Sequence, residues 1–221
     1  MSGKVSPSSH GSPPKEAPRT RRSYFTFHHV NSVVIMTLLS AAGMVTAADF
    51  GFVVFSVVYM YFLSKVAFPH TSSLPSPSLF EKTTILNLYV SFAAVVGIFL
   101  PVAYIIEGVF KGDKEGNLAA APHLFLLASQ VLMEGVSFWG NFSLPIRVFV
   151  PVFYNSRRIF TILDWLIEIS YGESGMRSYM GRALAVANMA LWCFNLFGFL
   201  LPVFLPKAFK IYYSSSNKTK D

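Results

Sequence analysis

Long apolar stretches alternate with short polar segments along most of the chain. Nearly every residue from Val30 to Phe68 is apolar. A helix needs about 20 residues to cross a bilayer core of about 30 Å, so this stretch predicts two spans, at about 30–46 and 50–68. The polar connection between them is tight, and Asp49 is placed to cap the second helix. The pattern therefore begins with a helical hairpin.

Three further apolar stretches predict spans at about 85–106, 118–139 and 183–205. A proline-rich loop precedes the first of them, and a charged, glycine-containing loop over 107–117 follows it. Pro101 leaves a backbone carbonyl without its usual donor, which predicts a kink near the end of that span.

The region 142–171 has a different pattern. Pro145 and Pro151 interrupt its apolar start, which predicts a short, proline-broken segment rather than a straight spanning helix. After it, Thr161, Asp164 and Glu168 share one face of an amphipathic helix, which we interpret as a solvated face. This helix lies in the membrane interface or crosses with its polar stripe against other helices.

The number of spans decides where the termini lie. Five spans put them on opposite sides of a membrane, whereas a sixth crossing by the amphipathic segment puts both on one side. In the six-span arrangement the basic residues gather on the side of the termini, with four exceptions: Lys111, Lys114, Arg177 and Arg182. This bias slightly favours six spans, although the shortness and the two acids of the segment favour five.

Composition agrees with a membrane protein. The chain is 53% hydrophobic and only 13% charged, against about 25% charged in a typical soluble domain. The sequence therefore predicts an all-α, polytopic transmembrane helical bundle of five or six spans over 29–206. A basic, Ser/Pro-rich tail over 1–28 is predicted to be disordered, and 207–221 form a polar basic tail.

The net charge of +7 does not indicate nucleic-acid binding, because much of it flanks apolar runs as the positive-inside rule requires. The single cysteine, Cys193, excludes an internal disulfide or a thiolate cluster. No motif for a cofactor, a metal or a catalytic centre is recognisable. The predicted partners are the lipid bilayer and other membrane proteins.

One predicted span carries a polar stripe. His123, Gln130 and Glu134 are spaced by seven and four residues, so they share one helix face. A carboxylate inside a span needs a partner or a water-filled cavity. One interpretation is a proton or cation relay. The favoured interpretation is structural, with Glu134 near the interface and paired with Arg147 or Arg157.

Other polar residues have simpler interpretations. Asn188 and Asn195 share a face of the last span, and intramembrane amides usually bond between helices. Arg157 and Arg158 are candidates for contact with anionic lipid headgroups, or for a simple anchor at the membrane surface.

Two stretches, Ser40–Pro69 and Pro122–Leu166, carry a family resemblance, most specifically in the string Tyr154-Asn155-Ser156-Arg157-Arg158. They resemble a plant family of uncharacterised multi-pass membrane proteins, defined only as a domain of unknown function. The resemblance implies a membrane protein of plant origin. It does not assign a catalytic or binding role to any residue. An endomembrane location is favoured, with the plastid envelope as the alternative.

Three functions follow as hypotheses. The first is a structural, scaffolding or membrane-organising protein without catalysis, because no catalytic constellation is recognisable. The second is a small ion or solute transporter or channel that uses the polar stripe beside the proline-broken segment. The third is a membrane-embedded lipid-modifying enzyme.

Overall fold

The computed structural model describes residues 19–69, 84–171 and 175–218. These residues form six helices, with no strand among them. Their bounds are Arg19–Ala41 (α1), Ala47–Val66 (α2), Thr84–Lys111 (α3), Lys114–Trp139 (α4), Leu144–Tyr171 (α5) and a long helix from Met176 to Lys218 (α6). The predicted all-α class is confirmed. The predicted proline-rich loop and the chain before Arg19 lie outside the described residues.

Four of these helices are long and apolar enough to cross a membrane: α2, α3, α4 and the part of α6 over Met176–Ser214. α1 adds a shorter apolar segment over His29–Ala41. Large apolar side chains face outward, as in Ile85 and Leu88 of α3, which are 81% and 70% exposed. Polar side chains such as Ser56 and Asn188 are fully buried. This distribution suggests a membrane-embedded protein, because water disfavours extended apolar surface.

Several helices extend beyond the predicted spans. α1 begins at Arg19 instead of near Val30, so the last part of the predicted disordered tail is helical. Only 112–113 separate α3 from α4, so most of the predicted loop at 107–117 is helical as well. α6 continues through much of the predicted C-terminal tail. Hydropathy predicts which part of a helix lies in an apolar environment. It does not predict where the helix ends, because the backbone hydrogen bonds of a helix can continue into polar sequence.

The start of α2 corrects the predicted cap. Thr46, and not Asp49, is the N-cap residue, and its hydroxyl oxygen accepts a hydrogen bond from the Asp49 N–H at 3.1 Å. The Thr46 hydroxyl in turn donates to Asp49 Oδ2 at 2.7 Å. This places Asp49 at the third position of the helix, where its charge complements the helix dipole.

The predicted break in 142–171 is wrong, because α5 is one continuous helix of 28 residues. Pro145 lies in its first turn, where a backbone N–H would have no acceptor within the helix. Pro151 lies inside it and removes one hydrogen bond. We attribute the tolerance of Pro151 to dense packing, since Val148, Val150 and Tyr154 around it are fully buried.

α4 and α5 pack against each other in the core of the bundle; α4 also contacts α1, α2 and α3, and α5 also contacts α2 and α6. Within the described residues, short connections at 42–46, 112–113 and 140–143 join α1 to α2, α3 to α4 and α4 to α5. Arg177 at the start of α6 contacts Asp113 between α3 and α4, which defines one end of the bundle, here called the Asp113 end. At the opposite end, the Ser143 hydroxyl donates to the Phe68 carbonyl at 2.8 Å.

Candidate functional site: a polar cluster inside the bundle

The stripe predicted on α4 meets α5 at Arg158. This guanidinium is fully buried and donates through Nη2 to the Gln130 side-chain oxygen. The Gln130 amide nitrogen donates to Glu134 Oε1 at 2.8 Å. Gln130 therefore connects the buried cation to the carboxylate. The predicted partners of Glu134 are corrected, because Arg147 packs over the Phe138 ring and Arg157 binds Asp49.

Trp192 of α6 extends this cluster. The Arg158 guanidinium carbon lies 4.2 Å from the centre of the Trp192 ring, a cation–π contact. The indole N–H of Trp192 donates to the Asn188 side-chain oxygen at 3.2 Å. The Asn155 amide of α5 donates to the Trp192 carbonyl at 3.2 Å. The polar cluster, defined as Arg158, Gln130, Glu134, Trp192, Asn188 and His123, thus joins α4, α5 and α6.

A proline in α3 explains the positions of His123 and Asn188. The turn over Val95–Phe99 is π-helical, with the Leu100 N–H bonded to the Val95 carbonyl. Pro101 has no N–H, so it cannot donate to the carbonyls four or five residues earlier. Those two carbonyls each meet a side chain: Asn188 Nδ2 lies 3.0 Å from Val96 O, and His123 Nε2 lies 3.0 Å from Gly97 O.

A double-mutant cycle tests this explanation. We expect His123→Leu to cost about 1–3 kcal/mol, because it leaves the buried Gly97 carbonyl without a donor. In a Pro101→Ala background the restored N–H competes for this carbonyl, so the cost of His123→Leu should be smaller. Thermal unfolding of the four proteins in detergent measures the coupling. Equal costs in the two backgrounds would contradict the assignment.

Several buried polar atoms of this region have no hydrogen-bond partner: Arg158 Nε and Nη1, His123 Nδ1, Trp165 Nε1 and Asn155 Oδ1. The His123 ring lies near both tryptophans, 6.3 Å from Trp165 and 6.2 Å from Trp192 between ring centres. The cluster is therefore polar, aromatic and closely packed.

The remaining site candidates occupy separate places. Asn195 accepts a hydrogen bond from the Tyr89 hydroxyl at 3.2 Å and so joins α6 to α3. Asn188 also donates to Leu184 O within its own helix. Because Arg158 is fully buried, the predicted lipid-headgroup contact is not available to it in this structure. Arg157 is partly exposed.

A second polar group surrounds Arg157. Its Nη2 lies 2.9 Å and its Nε 3.2 Å from Asp49 Oδ1, and the Asp49 side chain is only 2% exposed. Beside this pair lies a half-open cleft of about 370 Å³ between α2, α4 and α5. The sequence did not predict this pair, because nothing in either residue's local pattern shows which helix it faces.

A third group lies at the Asp113 end. Arg177 donates to the carboxylates of Asp113 and Glu107 and to the Asn117 side-chain oxygen, and it stacks 4.0 Å from the centre of the Tyr104 ring. Asp113 is also the N-cap of α4, accepting from the Gly116 N–H at 2.9 Å. Partial burial alone raises the Asp113 pKa, but the bonds from Arg177 and Gly116 outweigh it and lower this pKa.

This pKa gives a pH prediction. A carboxyl with a lowered folded-state pKa adds stability that is full above its ordinary pKa of about 3.9 and is lost as pH falls through the lowered value. Asp113→Asn keeps a good N-cap residue but removes the charge. At pH 7 we expect the free energy of unfolding of wild type to exceed that of this variant by about 1 kcal/mol or less. Wild type should therefore unfold at a slightly higher temperature. The difference should close below pH ~4; a difference independent of pH would contradict the ion pair.

Among the described residues, no group of three or more His, Cys, Asp or Glu side chains is arranged to hold a metal ion. In the comparisons with known proteins, residues 25–213 match a family model described as a domain of unknown function (DUF7733). No curated protein matches the chain, and no solved structure matches it.

Proposed function

The chain belongs to the DUF7733 family, and from this premise we propose that it is a multi-pass membrane protein with a structural, scaffolding role and no catalysis. In this proposal all six helices cross, so both termini lie on one side. α5 supplies the crossing that charge bias favours and hydropathy alone does not reveal. The proposal includes the plant origin that the family resemblance implies and an endomembrane location, with the plastid envelope as the alternative.

The single observation that supports this role is the use of the interior polar groups. Asn188 and His123 donate to α3 carbonyls, Arg158 bonds to Gln130, and the Ser56 and Tyr154 hydroxyls lie 2.7 Å apart. Each contact joins two helices. Interhelical hydrogen bonds of this kind stabilise membrane bundles. A transport pathway instead needs polar groups that bind and release a solute.

Reconstitution tests the scaffolding role. Purified full-length protein, added to liposomes at rising protein-to-lipid ratios, is expected to cluster or tubulate them in electron micrographs. Heat-denatured protein at the same ratios is the control. Vesicles that keep their size, shape and spacing at every ratio would contradict a membrane-organising role.

A second candidate function is transport, and one observation favours it. Arg158 is buried beside the Gln130–Glu134 pair, and two of its nitrogens have no hydrogen-bond partner. Buried ionisable side chains such as Arg158 and Glu134 are typical of ion pathways. Proteoliposome flux of protons and monovalent cations decides between the two functions. Flux that falls in Glu134→Gln but not in Glu115→Gln, an exposed acid on the same helix, would favour transport. No flux in wild type supports the structural role.

A further inference from the structure

The second end of the bundle, here called the Phe68 end, carries an aromatic layer. The rings of Phe68 on the chain after α2, Phe149 on α5 and Phe209 on α6 lie 5.6, 5.8 and 5.9 Å apart in pairs between ring centres. Two further aromatic side chains at this end face outward, Tyr213 at 55% exposed and Trp139 at 66% exposed. Exposed Trp and Tyr side chains at the end of an apolar bundle are typical of the interface between lipid and water. The layer therefore marks the depth of one membrane interface.

Four basic side chains lie at the depth of this layer: Lys65, Arg147, Lys207 and Lys210. Each is at most three residues from one of the three phenylalanines. At a helical rise of about 1.5 Å per residue, each therefore lies within about 5 Å of the layer. The three lysines are exposed, whereas Arg147 is half-buried. Lys207 and Lys210 are three residues apart on α6, so their side chains share one exposed face of that helix.

The two ends of the bundle differ in charge over the whole sequence. Taken over the twelve helix residues nearest the end and the connections and tails beyond them, the Phe68 end carries 12 basic and four acidic residues. On the same basis the Asp113 end carries four basic and seven acidic residues. One of the four acids at the Phe68 end, Glu134, is already bonded to Gln130. The Phe68 end is therefore strongly positive, and the Asp113 end is not.

We propose that the Phe68 end binds the anionic headgroups of phospholipids in the leaflet that surrounds it, with Lys207 and Lys210 as principal contacts. Clusters of basic residues beside a membrane helix attract anionic lipids. A lysine packs its apolar stem along the helix and extends its ammonium group to the phosphates. The depth of these side chains favours lipid over a soluble partner, because their ammonium groups lie level with the headgroups and not beyond them.

The inference rests on the membrane-embedded bundle proposed above, and it does not depend on whether that bundle is a scaffold or a transporter. It adds the class of lipid that the bundle selects. Its test measures lipid affinity in detergent and not vesicle clustering or flux, so the lipid contact and the proposed function can fail separately.

Fluorescence anisotropy in mixed micelles of a neutral detergent tests the lipid contact. Full-length protein is titrated into a trace of phosphatidylglycerol or phosphatidylcholine that carries the same fluorophore on an acyl chain. We expect phosphatidylglycerol to bind at least about tenfold more tightly. Lys207→Gln/Lys210→Gln should lose most of this preference. The matched control is Lys111→Gln/Lys114→Gln, two exposed lysines with the same spacing at the Asp113 end, which should keep it.

Both double variants replace exposed side chains, so they should fold, and their unfolding temperatures check this. Equal affinity of wild type for the two lipids, or binding of neither, would overturn the proposal. Full preference in the folded Lys207→Gln/Lys210→Gln protein, or an equal loss in both double variants, would also overturn it. A preference abolished by inorganic phosphate, but not by sodium chloride at the same ionic strength, would assign the surface to a free anion and contradict the lipid contact.

Discussion

Replacement of Arg158 by alanine is expected to destabilise the protein strongly. The Arg158 side chain is fully buried, bonds to Gln130 on α4 and stacks on Trp192 of α6. Its loss leaves the buried end of the Gln130–Glu134 pair without a cation and opens a cavity where three helices meet. Breaking a buried charge pair typically costs about 3–5 kcal/mol, and we expect a cost of this order although Gln130 lies between Arg158 and Glu134.

Thermal unfolding in detergent measures this effect, and a decrease of roughly 10 °C is expected for a chain of this size. Arg158→Lys should fall between wild type and alanine, because lysine keeps the charge but loses the planar fork. Lys111→Ala is the control. It removes an exposed ion pair with Glu107 and should cause no measurable change. An Arg158→Ala protein as stable as wild type would show that the cluster does not hold the helices together.

Gly97→Leu is the second substitution with a large expected effect. A Cβ atom at this position would lie 2.8 Å from Cζ2 of Trp192, which is closer than real contacts allow. The Trp192 ring cannot readily move, because it is held by Arg158 on its face and by Asn188 at its N–H. We therefore expect α3 to separate from α6, at a cost of about 1–3 kcal/mol.

Gly51 supplies a matched control, since it also lies in a helix but a Cβ added there would meet no neighbouring atom within 4 Å. Gly51→Leu should be neutral or stabilising by up to about 1 kcal/mol, from helix propensity alone. Unfolding temperatures of both variants, measured in the same detergent, check the pair. A Gly97→Leu protein with the unfolding temperature of wild type would contradict the close packing of α3 on Trp192.

The helical class and the apolar spans could be predicted because hydropathy is a property of each residue and its near neighbours. The shared faces of His123, Gln130 and Glu134 follow from helical spacing, and all three lie on α4. The effect of Pro101 could be predicted in part. The proline deprives a carbonyl of its donor as expected, and the structure accommodates this through a π-helical turn and side chains from other helices.

Interhelical partners could not be predicted, because they depend on how each helix is rotated against the next. Gln130, and neither of the arginines proposed from the sequence, is the hydrogen-bond partner of Glu134. The continuity of α5 was missed for a related reason. Two prolines weigh against a helix in local propensity, whereas packing from neighbouring helices decides the outcome at Pro151.

Whether α5 crosses the membrane is the central claim of the proposed topology, and one labelling experiment tests it. Single cysteines at Asn141 and Gly175, exposed residues on either side of α5, are introduced into a Cys193→Ala background. A membrane-impermeant thiol reagent is then applied to sealed vesicles of known orientation. Six crossings predict that only one of the two cysteines reacts until detergent is added, whereas equal labelling of both in intact vesicles would contradict the crossing of α5.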